Sequence, residues 1–151
     1  MKKELEWRVS RFGELMVDEL YDILHLRSKV FIMEQDAPYQ DADYKDQKAI
    51  HLHGYVDEGL VAYCRIFKAG DYFDGMGSIG RVIVAQEYRK YGYGHDMMKK
   101  AIELAESVFG ETKIRLSAQL YLQKFYESHG FVRIGDVYQE DGLPHIRMEK
   151  C

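Results

Sequence analysis

The segment Arg89-Lys90-Tyr91-Gly92-Tyr93-Gly94 carries the residue types that hold a phosphate. Glycines let the backbone approach an anion closely and permit positive φ. Arg89 and Lys90 place full charges beside the backbone N–H groups. The segment follows the apolar run Val82-Ile83-Val84 and precedes a helical pattern. Its N–H groups therefore fall at a helix start, where they lack intrahelical partners and the helix dipole favours negative charge. A plain two-glycine turn is the alternative, and GxG by itself does not separate the two. The Gly-Lys-Ser/Thr ending of a Walker A loop is absent, and so is the third glycine of a Rossmann fingerprint.

A second group is Asp41, Asp43 and Asp46, crowded in one loop. They read either as a solvated turn or as the mouth of a site that attracts a cation. A calcium loop is excluded. With Asp41 as the first position, the sixth is Asp46 where Gly is needed, and the twelfth is Leu52 where Glu is needed. His51 and His53 share one face of a strand without a third ligand, so no metal is expected. Cys64 and Cys151 belong to no CxxC or Cys/His zinc pattern. Cys64 reads as a small core hydrophobe.

These residues need elements to position them. Leu5, Trp7 and Val9 alternate as in a half-buried strand. Leu15 to Phe31 has the three-and-four spacing of an amphipathic helix. An acidic, aromatic-bearing loop spans Glu34 to Asp46. Two strands, Ile50 to Asp57 and Leu60 to Lys68, flank the hairpin signal Glu58-Gly59. Ser78 to Val84 is apolar on both parities, which suits a central strand buried on both faces. After Gly94, residues Met97, Met98, Ala101, Ile102, Ala105, Val108 and Phe109 form one apolar stripe, with Gly110 placed to end the helix. Lys113 to Ala118 reads as a strand and Leu122 to His129 as a short helix. Phe131 to Asp136 and Ile146 to Glu149 read as final strands joined by a turn at Asp141-Gly142. The order β α β β β α β α β β predicts an α/β (α+β) fold with a mixed central sheet of roughly six to seven strands and about four flanking helices.

The 151 residues suit one domain, residues 1–151, with enough chain for a core. Net charge is −4 and no basic run occurs, which counts against nucleic acid as a partner. No run of about 18 apolar residues exists, so no membrane span is expected. Met1 to Glu6 lacks the apolar core of a signal peptide. With no disulfide framework, a reducing cytoplasm is the expected compartment. Tyr is abundant, with 12 copies, and suits both a wet cleft and a core rim.

Arg89-x-x-Gly92-x-Gly94 after a strand ending in Val84 resembles the acetyl-CoA loop of the GNAT superfamily of N-acetyltransferases. Leu120 to Phe131, with Phe125-Tyr126-x-x-x-Gly130-Phe131, resembles that family's second signature. Phe31-x-x-Glu34-Gln35, Tyr39-x-Asp41-x-Asp43-x-x-Asp46, His51-Leu52 and Asp141-Gly142-x-Pro144-His145-Ile146 resemble the ElaA-like subfamily. Gln86 departs from the pattern, since many relatives carry Pro just after the strand.

The resemblance implies acetyl-CoA as cosubstrate and a primary amine as acceptor, with direct attack and no covalent enzyme intermediate. Pyrophosphate is then expected on the N–H groups of Lys90, Tyr91, Gly92, Tyr93 and Gly94, with Arg89 beside it. The pantetheine arm is expected along the backbone of Val82, Ile83 and Val84 as an added strand. An N–H near Val84 would polarise the thioester carbonyl. Tyr126 matches the general-acid tyrosine, a protonated phenol at neutral pH; the plain alternative is a packing tyrosine. Glu34, His51 and His145 are the candidate bases, each with a structural alternative, and an ordered water relay is a further one. Relatives imply a monomer or homodimer. A non-catalytic CoA-binding or protein-interaction module on the same fold remains the competing reading.

Overall fold

The computed structural model describes residues 3–151. Seven strands form one mixed sheet in the order β1-β2-β3-β4-β5-β7-β6. They are β1 (Glu6–Arg11), β2 (Ile50–Val56), β3 (Gly59–Phe67), β4 (Gly77–Val84), β5 (Ile114–Gln119), β6 (Val132–Glu140) and β7 (Leu143–Lys150). The helices are α1 (Val17–Arg27), α2 (Tyr93–Phe109) and α3 (Gln123–Glu127), with a π-helical turn at Ser28–Glu34 and short 3-10 turns that include Gln86–Tyr91 and Leu120–Leu122. The expected order of strands and helices is present.

All of β2 and most of β3 are buried, which requires cover on both faces. The α1 segment and the loop after it supply one cover through Arg27, which lies over the Tyr63 ring. The long helix α2 packs across β3 and β4, burying Met97, Met98, Ala101 and Ala105 at helical spacing. It ends at Gly110, whose φ of 70° is the left-handed cap a glycine adopts without strain. At the other end, α1 starts with the Glu19 carboxylate accepting the Met16 N–H at 2.9 Å.

The helix expected through Phe31 is α-helical only to Arg27. Beyond it the turns widen to a π-helix, and Ala37 N–H reaches back to the Ile32 carbonyl at 3.2 Å. Widened turns re-aim side chains and recur at functional sites. Here Val30, Phe31 and Glu34 all border the main cleft.

The sheet carries two irregularities that make this cleft. First, β4 and β5, the one parallel pair among the described residues, are joined only at Gly77–Ile114 and Ser78–Arg115. Beyond Ser78 the two strands diverge, while β5 stays paired with β7 along its whole length. Second, between Tyr63 and Arg65 of β3 the partner on β4 steps from Ile83 to Gly80, so β4 carries one extra residue. This is a β-bulge centred on Arg81, whose φ is 49°. The strand expected to be buried on both faces is therefore buried at Gly77–Ile79 and partly open from Gly80 to Val82.

The acidic loop is neither a solvated turn nor a free cation trap. Arg27 bonds Asp41 at 2.7 Å and Asp46 at 2.7 Å. Arg65 bonds Asp46 at 2.8 Å and both oxygens of Asp43 at 2.9 and 2.6 Å. Arg81 bonds Asp41 at 2.7 Å. Burial alone would raise the Asp43 and Asp46 carboxyls, but bonds from Arg65 and Arg27 outweigh it and hold both below the usual range. Three arginines from α1, β3 and the β4 bulge thus fix the loop against the sheet. Among the described residues, no helix is long and apolar enough to cross a membrane.

Candidate active site

The divergence of β4 and β5 opens a cleft of about 390 Å³. Its walls are β4 from Ile79 to Val84 and β5 from Ser117 to Gln119. One end reaches Arg89, Gly92, Gly94 and His95, and the other reaches Tyr39, Glu140, Asp141 and His145. The inner edge of β4 beyond Ser78 has no strand partner. A buried strand edge of this kind is a template for an extended ligand.

At the glycine end, Gly92 has φ 77° and caps the start of α2. Among the described residues, neither Gly92 nor Gly94 gives its N–H to a carbonyl of a neighbouring element. A Cβ on Gly92 would meet no atom within 4 Å, and one on Gly94 would lie 3.5 Å from the Phe125 ring. The backbone here is open to an approaching anion, as a helix N-terminus that binds phosphate must be. Side chains divide differently from the sequence expectation. Lys90, Tyr91 and Tyr93 do not line the cleft. Tyr93 is buried and its hydroxyl donates to the Lys3 carbonyl, while Tyr91 and Tyr93 border a smaller recess of about 160 Å³. Arg89 turns toward the cleft but is already engaged. Its Nε donates to Val84 O at 2.8 Å and its Nη1 and Nη2 meet Glu34 at 2.7 and 3.1 Å.

Tyr126 lies in the wall between the two ends, 4% exposed. Its ring packs edge-on against Phe125 and Phe131. Its hydroxyl takes no hydrogen bond among the described residues, and burial pushes the phenol well up. A polar group on a buried residue without a protein partner is uncommon in a folded chain.

The three candidate bases separate. Glu34 lines the cleft with its carboxylate forked onto Arg89. His51 does not reach the cleft. It is 0% exposed, its Nε2 donates to Asp46 O at 2.9 Å, and its Nδ1 accepts from Tyr63 Oη at 2.6 Å. Burial first, with Arg27 and Arg65 adding, lowers its pKa. Its ring closes the aspartate loop onto β3. His145 does reach the cleft, 7% exposed. Its Nδ1 donates to Leu143 O at 2.9 Å, and since a carbonyl only accepts, the neutral ring carries its lone pair on Nε2. Nε2 lies 3.5 Å from the Glu140 carboxylate. An imidazolium formed there would find an oxygen at each N–H.

Several residues in or beside the cleft are not among the candidates the sequence singles out. Tyr138 bonds Ser117, and Ser117 donates to Glu140 at 3.0 Å, so a polar chain runs behind His145. Tyr39 bonds Asp41, and burial raises its phenol to about 12. His95 pairs with His129 at 2.9 Å. Cross-strand register on β5, β6 and β7 brings Ser117, Tyr138 and His145 together, and register is not written in local spacing. Among the described residues, no group of three or more His, Cys, Asp or Glu is placed to hold a metal ion.

A sheet splayed at one parallel pair, a bulge on its inner strand and a glycine-started helix at its mouth define a class. Residues 21–151 match the family described as Acetyltransferase (GNAT) domain, and the chain belongs to that family. Within it the chain is ElaA-like. It is 40% identical over 148 residues to Protein ElaA of Escherichia coli, covering 97% of this chain and 96% of that one. It is 41% identical over 146 residues to a UPF0039 protein of Schizosaccharomyces pombe, covering 95% of each. The crystal structure of Escherichia coli ElaA superposes with a TM-score of 0.90 at 40% identity, over 97% of this chain and 99% of that one. A crystal structure of an acyl-CoA N-acyltransferase from Pseudomonas aeruginosa superposes with a TM-score of 0.92 at 38% identity, over 98% of this chain and 100% of that one. The GNAT fold supports acyl transfer from acyl-CoA in general.

Proposed function

We propose that the chain transfers an acetyl group from acetyl-CoA to a primary amine by direct attack in a ternary complex. The observation that carries this reading is the cleft itself. It runs along the unpaired inner edge of β4 from Gly92 and Gly94 to the partnerless phenol of Tyr126.

In this reading the open N–H groups at Gly92 and Gly94 hold the diphosphate, and backbone charge does most of the binding. The edge of β4 at Val82 to Val84 pairs with the pantetheine amides, so the cleft is filled by an added strand. A backbone N–H near Val84 polarises the thioester carbonyl where charge develops. His145 takes the ammonium proton on Nε2, and Glu140 and Leu143 O stabilise the imidazolium. The neutral amine attacks the carbonyl carbon, the C–S bond breaks, Tyr126 gives its proton to the departing thiolate, and the second proton shed by the attacking nitrogen restores the phenol. Glu34 serves as a positioning group, because Arg89 holds its carboxylate.

The test is thiol release from acetyl-CoA against a panel of primary amines. Turnover with at least one amine is expected. Tyr126→Phe should lower kcat by about 100-fold, the low end of general acid catalysis, with little change in acetyl-CoA binding. A wild-type protein that binds acetyl-CoA and releases no thiol with any amine would leave the non-catalytic CoA-binding module standing. Equal kcat for wild type and Tyr126→Phe would remove Tyr126 from the mechanism.

A further inference from the structure

We infer that His95 and His129 form a proton-sharing anion subsite, which takes up a proton as a phosphate of the CoA cosubstrate binds. The inference rests on the reading above and concerns His95, which follows the glycine loop, and His129, an unspecified position of the second signature. His95 Nδ1 and His129 Nε2 are 2.9 Å apart, with ring centroids 5.0 Å apart. Both rings pack on Phe125, at 4.8 and 5.3 Å. Phe125 is also the ring that faces Gly94. The pair is therefore mounted on the same aromatic plate as the glycine loop, and His95 borders the cleft beside Gly92 and Gly94.

A hydrogen bond between two imidazoles fixes one proton in the bridge. In the neutral pair the outer nitrogens, His95 Nε2 and His129 Nδ1, share one further proton, so only one of them can donate. Adding a proton makes both donors and gives the pair one positive charge. The charged groups facing His129 are Lys99 of α2 and Lys150 of β7, with His95 as the third neighbour. Burial first, then His95 and then the two lysines, hold the His129 pKa down. These neighbours disfavour an extra proton on His129 in the ligand-free chain. A phosphate arriving at the start of α2 supplies the missing negative charge and reverses that balance. Proton uptake and anion binding are then linked, and each strengthens the other.

The experiment is calorimetric titration of CoA at neutral pH in buffers of differing ionisation enthalpy, which counts protons taken up per ligand bound. Wild type should take up a fraction of a proton, and its Kd should rise with pH, by at most about tenfold per unit for one linked proton. His95→Gln and His129→Gln should each bind CoA more weakly at low pH and lose most of the uptake. The 3′-phosphate of CoA itself titrates near pH ~6, as phosphate monoesters do, so dephospho-CoA is run in parallel. Uptake kept with dephospho-CoA and lost in the variants assigns the pair to the diphosphate. Uptake seen only with CoA, and lost in the variants, assigns it to the 3′-phosphate. Uptake unchanged in both variants, or CoA bound by wild type with no uptake, overturns the inference and leaves the acetyl-CoA reading intact. Failure of wild type to bind CoA at all overturns both.

Discussion

At the scale of single residues, the two glycines of the mouth do different work. Gly92 sits at φ 77°, where an L side chain costs roughly 1–2 kcal/mol. Gly94 has no such backbone demand, and a Cβ there would make an ordinary 3.5 Å contact with Phe125. Gly92→Ala should therefore destabilise the fold. Gly94→Ala should be neutral or slightly stabilising, because Ala outranks Gly in a helix. If the N–H of Gly94 faces a diphosphate, the same methyl group stands in the anion's way. Gly94→Ala should then raise the acetyl-CoA KM by about tenfold while the acceptor KM moves little. Thermal unfolding and steady-state kinetics on the pair check this, and equal changes in both KM values would contradict the site. His145 offers a second residue-level test. Its Nε2 must be unprotonated to accept from an ammonium, so kcat/KM should rise along an acid limb. His145→Gln should lower kcat by about 100-fold and abolish that limb. A limb that survives the substitution would move the base to water or Glu34.

Between elements, the ion pair of Glu34 and Arg89 joins the end of the π-helical turn to the 3-10 turn before α2. Both elements border the cleft, through Glu34 on one and Arg89 on the other. Arg89 also holds Val84 O, so three donors of one guanidinium fix the exit of β4. The pair is half-exposed, and such pairs add only about 0–1 kcal/mol to stability. Its value lies in geometry. Glu34→Gln and Arg89→Gln should each raise both KM values several-fold, and the double variant should be no worse than either single. Additive losses in that cycle would mean that Arg89 binds phosphate independently of Glu34. Elements also show what local sequence could reveal. The period-two run Leu5-Trp7-Val9 and the apolar stripe of α2 specify strand and helix because burial of one face is a local pattern. The glycine loop and Tyr126 were visible for the same reason, in contiguous signatures. The bulge at Arg81 was not, because it depends on how β4 registers with β3. The widened turn after Arg27 was not either, since α and π turns share the same residue types. Asp41, Asp43 and Asp46 looked like a free acidic patch because their partners, Arg27, Arg65 and Arg81, are scattered along the chain.

For the whole molecule, the buried polar layer between α1 and the sheet sets how the fold answers to acid. His53 is fully buried, hydrogen-bonded to Ser10 and Tyr55, and burial lowers its pKa from 6.5 to about 4. His51 shifts in the same direction. Between pH 6.5 and 4 the unfolded chain binds a proton at His53 that the folded chain refuses, so stability falls as pH falls across that window. The contribution is intact above pH ~6.5, the ordinary value for His. The aspartates behave differently. Asp43 and Asp46 are held below the usual carboxylate range, so their contribution persists until the pH drops below about 4 and is lost only there. Acid should therefore weaken the fold in two stages, histidines first and carboxylates second. Unfolding free energy from urea titration should be about 2 kcal/mol lower at pH 5 than at pH 7.5, from His53 alone at about 1.4 kcal/mol per pH unit. His53→Gln should shrink that first stage and leave the second in place. Equal stability at the two pH values would show that His53 keeps water or a proton in the folded state, and the layer would then be looser than its hydrogen bonds imply.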